Sequence, residues 1–493
     1  MIGRSLGTAR EIWQKVSYTW DAANQLATVM DHWTNGQTSY AFDQTGQLSN
    51  VAYPNGVKHN YTTYDSRDRL TNLNVSGPGG AIASYVQAFS FSGRKTSAAE
   101  LNGRTAAYSY DAIYRLLSES ITGDPVSANN GSLGYSLDSV GNRSSLASNL
   151  AALTNQSFTY DVNDRISGAT FDPNGNTLTS GGHTFTYDFQ DRLKQYDNTV
   201  AMLYDGDGNR VARTEGGVTH RYLIDDQTPT GYTQIAEELV PSDGVIRQFT
   251  YGTMRISQRQ LLVSPNWQVS YYGYDGGGSV RQLTDPTGAV TDTYAYDAFG
   301  NTVAQTGTTF NQFLYRGEQF DSTLGMYYLR ARYYRPMVGR FLTRDHYEDT
   351  DNQNLGKSLT AGSCNACCTC HPCMTGEATA DSSLGSYSSL ARVYRNGVQA
   401  HPYAYGSTDP ANRVDRSGLQ DIFEDAELNA KNETPFAAAR RIGQVAEGDI
   451  CYAIYLADTA SCGEFVTDDA AYEACMARAW FNLFRCDQGL PRI

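Results

Sequence analysis

Short runs of alternating apolar and polar residues, each closed by an aspartate, recur along most of this chain. The unit is aromatic-x-aromatic-Asp, then two or three residues, then Gly or Asp, then Arg, Asn or Gln, then an apolar residue. It reads Tyr18-Thr19-Trp20-Asp21 with Gln25-Leu26, and Tyr40-Ala41-Phe42-Asp43 with Gly46-Gln47-Leu48. Later copies include Tyr108-Ser109-Tyr110-Asp111 with Arg115-Leu116, Phe158-Thr159-Tyr160-Asp161 with Asp164-Arg165-Ile166, and Tyr294-Ala295-Tyr296-Asp297 with Gly300-Asn301. Asp21, Asp43 and Asp65 stand 22 residues apart, as do Asp275 and Asp297. Residues i and i+2 of a strand share a face, so the two aromatics stack on one side of a sheet. The Asp accepts bonds from backbone N–H groups two residues on and starts a turn. Gly, Asn or Asp supplies the positive φ at which the chain reverses, and the next apolar residue restarts a strand. Each unit is therefore predicted to be a hairpin. A lone hairpin is barely stable in water, so many must pair edge to edge. On this reading the Tyr and Asp residues build the sheet; glycan contact is their alternative use.

Composition sharpens that picture. Among 493 residues there are 35 Tyr, 18 Phe, 5 Trp and 46 Gly, which suits half-buried sheet faces joined by tight turns. Formal net charge is −14, which repels phosphate backbones and argues against nucleic-acid binding by the bulk of the chain. No run of about 18 apolar residues exists to form a membrane-spanning helix. The start, Met1-Ile2-Gly3-Arg4-Ser5-Leu6, lacks the apolar stretch of a signal peptide, so the chain is read as an internal start or the end of a longer protein, or as exported by another route.

The repeats lead into YAYDAFGNTV and then FLYRGEQFDSTLGMYYLRARYYRPMVGRFLTRD, from Tyr294 to Asp345. These residues resemble the YD-repeat (RHS) family and its core-associated signature. The resemblance covers roughly residues 15–345. It implies a mainly β fold, a spiral of antiparallel hairpins forming part of a hollow shell, over residues 1–345, with the signature at 294–345. It also implies a delivery role of the polymorphic-toxin type, in which the shell encloses or presents a variable C-terminal domain. The alternative is an extracellular or cell-surface scaffold that binds carbohydrate or protein and carries no toxic cargo.

Many members of that family cut themselves near the shell's end with two aspartates in Asp-Pro-x-Gly motifs. Two close carboxylates can share a proton, one activating water and the other protonating the leaving group. By position these are Asp345 in GRFLTRD and Asp415 in RVDRSGL, with the cut after Leu419. Both motifs depart from the pattern: His346-Tyr347-Glu348 follows Asp345, and Arg416 stands where Pro is usual. The aspartates are 70 residues apart, because residues 346–400 are inserted ahead of a shell-closing segment, 401–419. The competing reading makes both acids capping residues held in turns. Arg340 either braces this site or pairs with an acid of the shell.

The nine cysteines fall in two groups, and the first 363 residues have none. Cys364, Cys367, Cys370 and Cys373 form two C-x-x-C pairs, with Cys368 and His371 to spare. Four thiolates suit tetrahedral Zn²⁺, but only two residues separate the pairs, too few for the usual loop over the metal. An unassigned thiol cluster and disulfides stand beside zinc as readings, and no other cofactor is implied.

Residues 420–493 change character, to Ala-rich helical patterns such as DDAAYEACMARAWFNLFRC. Cys451 and Cys462, then Cys475 and Cys486, are each eleven apart, about three helical turns, so each pair lies on one face. Two antiparallel helices would set Cys451 against Cys486 and Cys462 against Cys475, an arrangement that resembles twin-cysteine hairpins. Four buried free thiols are the other possibility. Bridges imply an oxidising destination, hence secretion or the cell surface. The tail has no His, 6 basic against 13 acidic residues and no phosphate loop. A binding or stabilising module fits it better than an enzyme. At most, then, the chain's own catalysis is the aspartyl self-cut. An immunity protein, a target-cell receptor and glycans are the partners that follow.

Overall fold

A computed structural model describes residues 16–242, 244–345, 403–405, 408–417 and 422–423. The chain divides into two units, Met1–Val51 with Asp425–Ile493, and Ala52–Glu424. Nearly every element is an antiparallel strand. Among the described residues helix is limited to the single turns Ser127–Asn129 and Tyr315–Gly317 and to Thr408, and none is long and apolar enough to cross a membrane.

In the first unit, strand Val16–Trp20 pairs with Leu26–Asp31, which pairs with Gly36–Phe42. In the second, each strand from Lys58–Tyr64 to Gln156–Ser157 pairs with the next in sequence order. A 14-stranded sheet then runs, again in order, from Thr170–Phe171 to Thr302–Thr306. Its first and last strands do not pair, so it is open.

The turns follow the sequence reading and add to it. The Asp161 carboxylate accepts from the N–H groups of Asn163 and Arg165, each at 2.9 Å. Asp164, at the reversal, has φ 60°. The residue that follows has a second task. Arg165, Arg115 and Arg192 turn back onto the free oxygen of Asp161, Asp111 and Asp188, each within 2.8 Å. Asn142 and Asn301 do the same to Asp138 and Asp297 at 2.8 Å.

The second aromatic of a unit is usually Tyr, and the hydroxyl explains the preference. Tyr110 donates to the Lys95 carbonyl at 2.7 Å, Tyr187 to Thr177 at 2.8 Å, Tyr274 to Arg255 at 2.7 Å and Tyr296 to Val280 at 2.9 Å. Each phenol thus buries its ring and ties its turn to an earlier strand. A Phe would leave that carbonyl without the bond.

The signature builds a separate four-stranded sheet: Gln319–Asp321, Met326–Leu329, Arg332–Arg335 and Arg340–Phe341. Its Tyr327, Tyr334 and Phe341 share a core cluster with Tyr272, Tyr274, Tyr294 and Tyr296 of the large sheet. Tyrosine dominates this cluster, whereas the clusters around Leu116, Ile121 and Leu146 and around Leu193 and Val200 are mainly aliphatic.

Candidate functional site

The closing segment is seated on this small sheet. The N–H of Phe341 donates to the Tyr403 carbonyl at 2.9 Å, and Tyr405 stacks on Tyr334 with ring centroids 4.2 Å apart. Further along, Asp409 pairs with Arg94 at 2.9 Å. The Pro410 carbonyl accepts from Tyr315 at 3.1 Å and Arg316 at 2.6 Å. The N–H of Ala331 donates to the Ser417 carbonyl at 3.2 Å, and Arg330 reaches the Arg416 carbonyl and the Glu318 carboxylate. These contacts fix the position of Asp415.

The outcome is a cluster of two carboxylates on one cation. A single nitrogen of the Arg332 guanidinium lies 2.8 Å from Asp345 and 3.3 Å from Asp415. The guanidinium packs over the Phe341 ring, 3.7 Å from its centroid. The Arg332 and Asp415 side chains are buried, whereas Asp345 is 24% exposed. The other Asp415 oxygen accepts from the Ser417 hydroxyl at 3.2 Å. Burial pulls the basicity of Arg332 down, and the two carboxylates partly offset it. Two oxygens sharing one nitrogen fall within the roughly 6 Å over which carboxylates perturb each other.

The fold therefore brings Asp345 and Asp415 together across 69 intervening residues. Arg340 is not part of this cluster. It donates to the Asn142 side chain and the Asp164 carbonyl, and lies over Tyr160 and Tyr403. It thus fastens the closing segment to an earlier turn. Arg332 was not singled out by sequence: RARYYR offers several arginines, and only burial on its strand distinguishes this one. The expected cut after Leu419, the Cys364, Cys367, Cys370 and Cys373 group, and the tail cysteines Cys451, Cys462, Cys475 and Cys486 all lie outside the described residues. Among the described residues no cluster of His, Cys, Asp and Glu suits a metal ion.

A second buried acid pair has a structural task. Glu119 accepts from the Ala298 N–H at 2.7 Å, next to the Asp297 turn. Burial and the neighbouring charge push Glu119 up, and burial pushes Asp297 up.

Comparison with known proteins bears on the family and the fold. The model of the Teneurin YD-shell family matches residues 89–360. The tRNA3(Ser)-specific nuclease WapA of Bacillus spizizenii is 27% identical over 359 residues, 69% of this chain and 15% of that protein. The tRNA(Glu)-specific nuclease WapA of Bacillus subtilis subsp. natto is 32% identical over 206 residues, 40% of this chain and 8% of its own length. Among solved structures, the complex TcdB2-TccC3-Cdc42 superposes with a TM-score of 0.56 at 17% identity, over 85% of this chain and 22% of the other. The Photorhabdus luminescens Tc holotoxin pore gives 0.54 at 18% identity, over 68% and 20%. At these identities the structures show a common fold, and this chain spans about a fifth of their length or less.

Proposed function

This chain belongs to the Teneurin YD-shell family, and from that premise we propose that it is the closing part of a delivery shell of the polymorphic-toxin type. Residues 420–493 are its cargo, freed by a cut after Leu419. The shell is exported or displayed at the cell surface, and the tail's partners are an immunity protein and a target-cell receptor. One observation carries the self-cleaving reading: Asp345 and Asp415, distant in sequence, meet on one guanidinium within the segment that closes the unit.

The chemistry asked of the pair is peptide hydrolysis. One carboxylate takes a proton from water as its oxygen adds to the Leu419 carbonyl carbon. The other gives its proton to the departing Gln420 nitrogen as the C–N bond breaks. One water is consumed, leaving a new carboxyl at Leu419 and a new amine at Gln420. The protein supplies closeness and burial, which let two carboxylates share one proton.

Intact mass of the purified chain tests this. The expected species begins at Gln420, and Asp345→Asn and Asp415→Asn each leave full-length protein. Cleavage that persists in either variant discards the mechanism. Full-length wild type at every pH favours the scaffold reading, in which the tail is a fixed cap.

A further inference from the structure

Antiparallel strands that pair in sequence order put every second turn on the same edge of a sheet. The turns of the repeat unit therefore share one edge of the second unit, and side chains tie each turn to the next. Arg67 lies 5.2 Å from the Phe91 ring centroid, Arg94 4.7 Å from that of Tyr114 and Arg165 5.4 Å from that of Phe171. Arg115 donates to the Asp138 carbonyl and Asn142 to the Asp164 carboxylate, each at 2.8 Å, and Asn174 donates to Asp191 at 2.9 Å. Neighbouring turns are two strands apart, roughly 10 Å.

Six successive turns on this edge carry an exposed apolar residue at the tip: Phe91, Ile113, Val140, Val162, Pro173 and Phe189. Phe91, Val162 and Phe189 are 93%, 100% and 90% exposed. Single exposed apolar side chains are ordinary on any surface, but a row of six in consecutive turns is not. The turns that flank the row present Arg67 on one side and Gly206-Asp207 on the other. In the Asp297 turn, by contrast, Phe299 is buried. The tips are also held in place. The N–H groups of Ile113 and Val140 each donate to their turn's aspartate at 3.0 Å, and the Asp161 and Asp188 turns close in the same way. Covering them therefore costs little lost motion.

Spacing and charge bear on what covers the row. Ser, Asp, Asn or Gln flanks Phe91, Val140, Val162 and Phe189, so each tip stands alone on a polar turn. A protein partner packs against a continuous apolar centre, whereas a bilayer interface closes around separate side chains. Residues 90–95, 111–116, 138–143, 161–166, 172–177 and 188–193 together hold 6 basic and 7 acidic residues, in a chain of formal charge −14. This edge is therefore nearly neutral and can approach a lipid surface without the repulsion of the whole chain.

We propose that this edge is a membrane-docking surface, whose six apolar tips enter the interface of a zwitterionic phospholipid bilayer without crossing it. The proposal holds whether or not the chain cuts itself.

The test is co-flotation of the full chain with vesicles of phosphatidylcholine, with and without added phosphatidylserine, beside sedimentation velocity without lipid. Wild type is expected to float with both vesicles to a similar extent. Phe91→Ser and Phe189→Ser are each expected to weaken partitioning about tenfold, and their folding midpoints should not move, because both side chains stand outside the core. Val162→Trp is expected to strengthen it, with a blue shift of the added tryptophan emission on vesicles. Leu262→Ser with Val263→Ser removes exposed apolar residues from a turn on the opposite edge and is expected to change nothing. A wild type that does not float overturns the proposal, as does flotation that survives loss of both Phe91 and Phe189. Binding that appears only with phosphatidylserine and fades with salt belongs to charge and overturns it too. A dimer that dissociates when both Phe residues are replaced, with no flotation, assigns the edge to a second copy of the chain and removes the lipid.

Discussion

At the residue scale, the tyrosine hydroxyl distinguishes this sheet from an ordinary aromatic one. Tyr274 is buried and donates to the Arg255 carbonyl at 2.7 Å. Tyr274→Phe is expected to cost about 1 kcal/mol, because it orphans a buried acceptor. In urea unfolding the midpoint should fall with an unchanged slope; an unchanged midpoint would mean that the carbonyl finds another donor. Asp409 offers a second test. Burial pushes its carboxyl up to about 7, against the pull of Arg94, the Asn412 amide, Arg413 and Lys95. The folded value lies above the ordinary 3.8, so the fold favours the protonated form. Stability from this group is full below 3.8 and is lost as pH rises through about 7. Asp409→Asn cannot ionise. Relative to wild type it should gain about 2–4 kcal/mol between pH 4 and pH 8, read from unfolding at both ends. A difference that stays constant over that range would show that Arg94 keeps Asp409 charged throughout.

At the element scale, the turn is the unit that the sequence makes legible. Aromatic-x-aromatic-Asp followed by Gly or Asp at the reversal gives the strand, its buried face and its end, and the structure shows each of them at Asp188 and Asp297. At Asp161 the turn is kept, but Phe158-Thr159-Tyr160 join no strand and make only the isolated bridge Tyr160–Ile166. Local physics decides these features, so local sequence reveals them. Contacts set by distant chain are not legible in this way. Nothing in the run Leu116-Leu117-Ser118-Glu119 marks Glu119 as buried, because its partner N–H belongs to Ala298. Nothing marks Arg332 as the bridge between acids, because one of them lies 83 residues away. By contrast, Asp345 and Asp415 were legible through family resemblance, not through spacing. The Asp297 turn also shows how closely elements approach. Gly300 has φ +90°, and a Cβ there would stand 2.5 Å from the Tyr315 ring. Gly300→Ala is expected to cost about 2–4 kcal/mol, from strain and the clash together. Gly206→Ala, in a turn whose Cβ position is open, should change stability by less than about 1 kcal/mol. Equal losses at both sites would mean that the Tyr315 ring moves aside.

At the scale of the whole molecule, the family match covers residues 89–360 and does not reach residues 420–493. The relatives named as tRNA nucleases match this chain over no more than 15% of their own length, so their activity does not follow from the match. Charge and composition give an independent answer. The chain carries a formal −14, and residues 420–493 contribute 6 basic against 13 acidic residues with no histidine. Grip on a polyanion comes from Lys and Arg neutralising phosphates, and general-base cleavage of RNA usually draws on His. The purified chain, with the tail released or attached, is therefore expected neither to retain total tRNA at about 0.15 M salt nor to shorten it. Retention that fades steeply with salt would place a basic surface that the total charge conceals. Cleavage that follows the Gln420 fragment through purification would make the tail a nuclease working through its carboxylates. In that case the shell assignment survives and the reading of its passenger as a binding module does not.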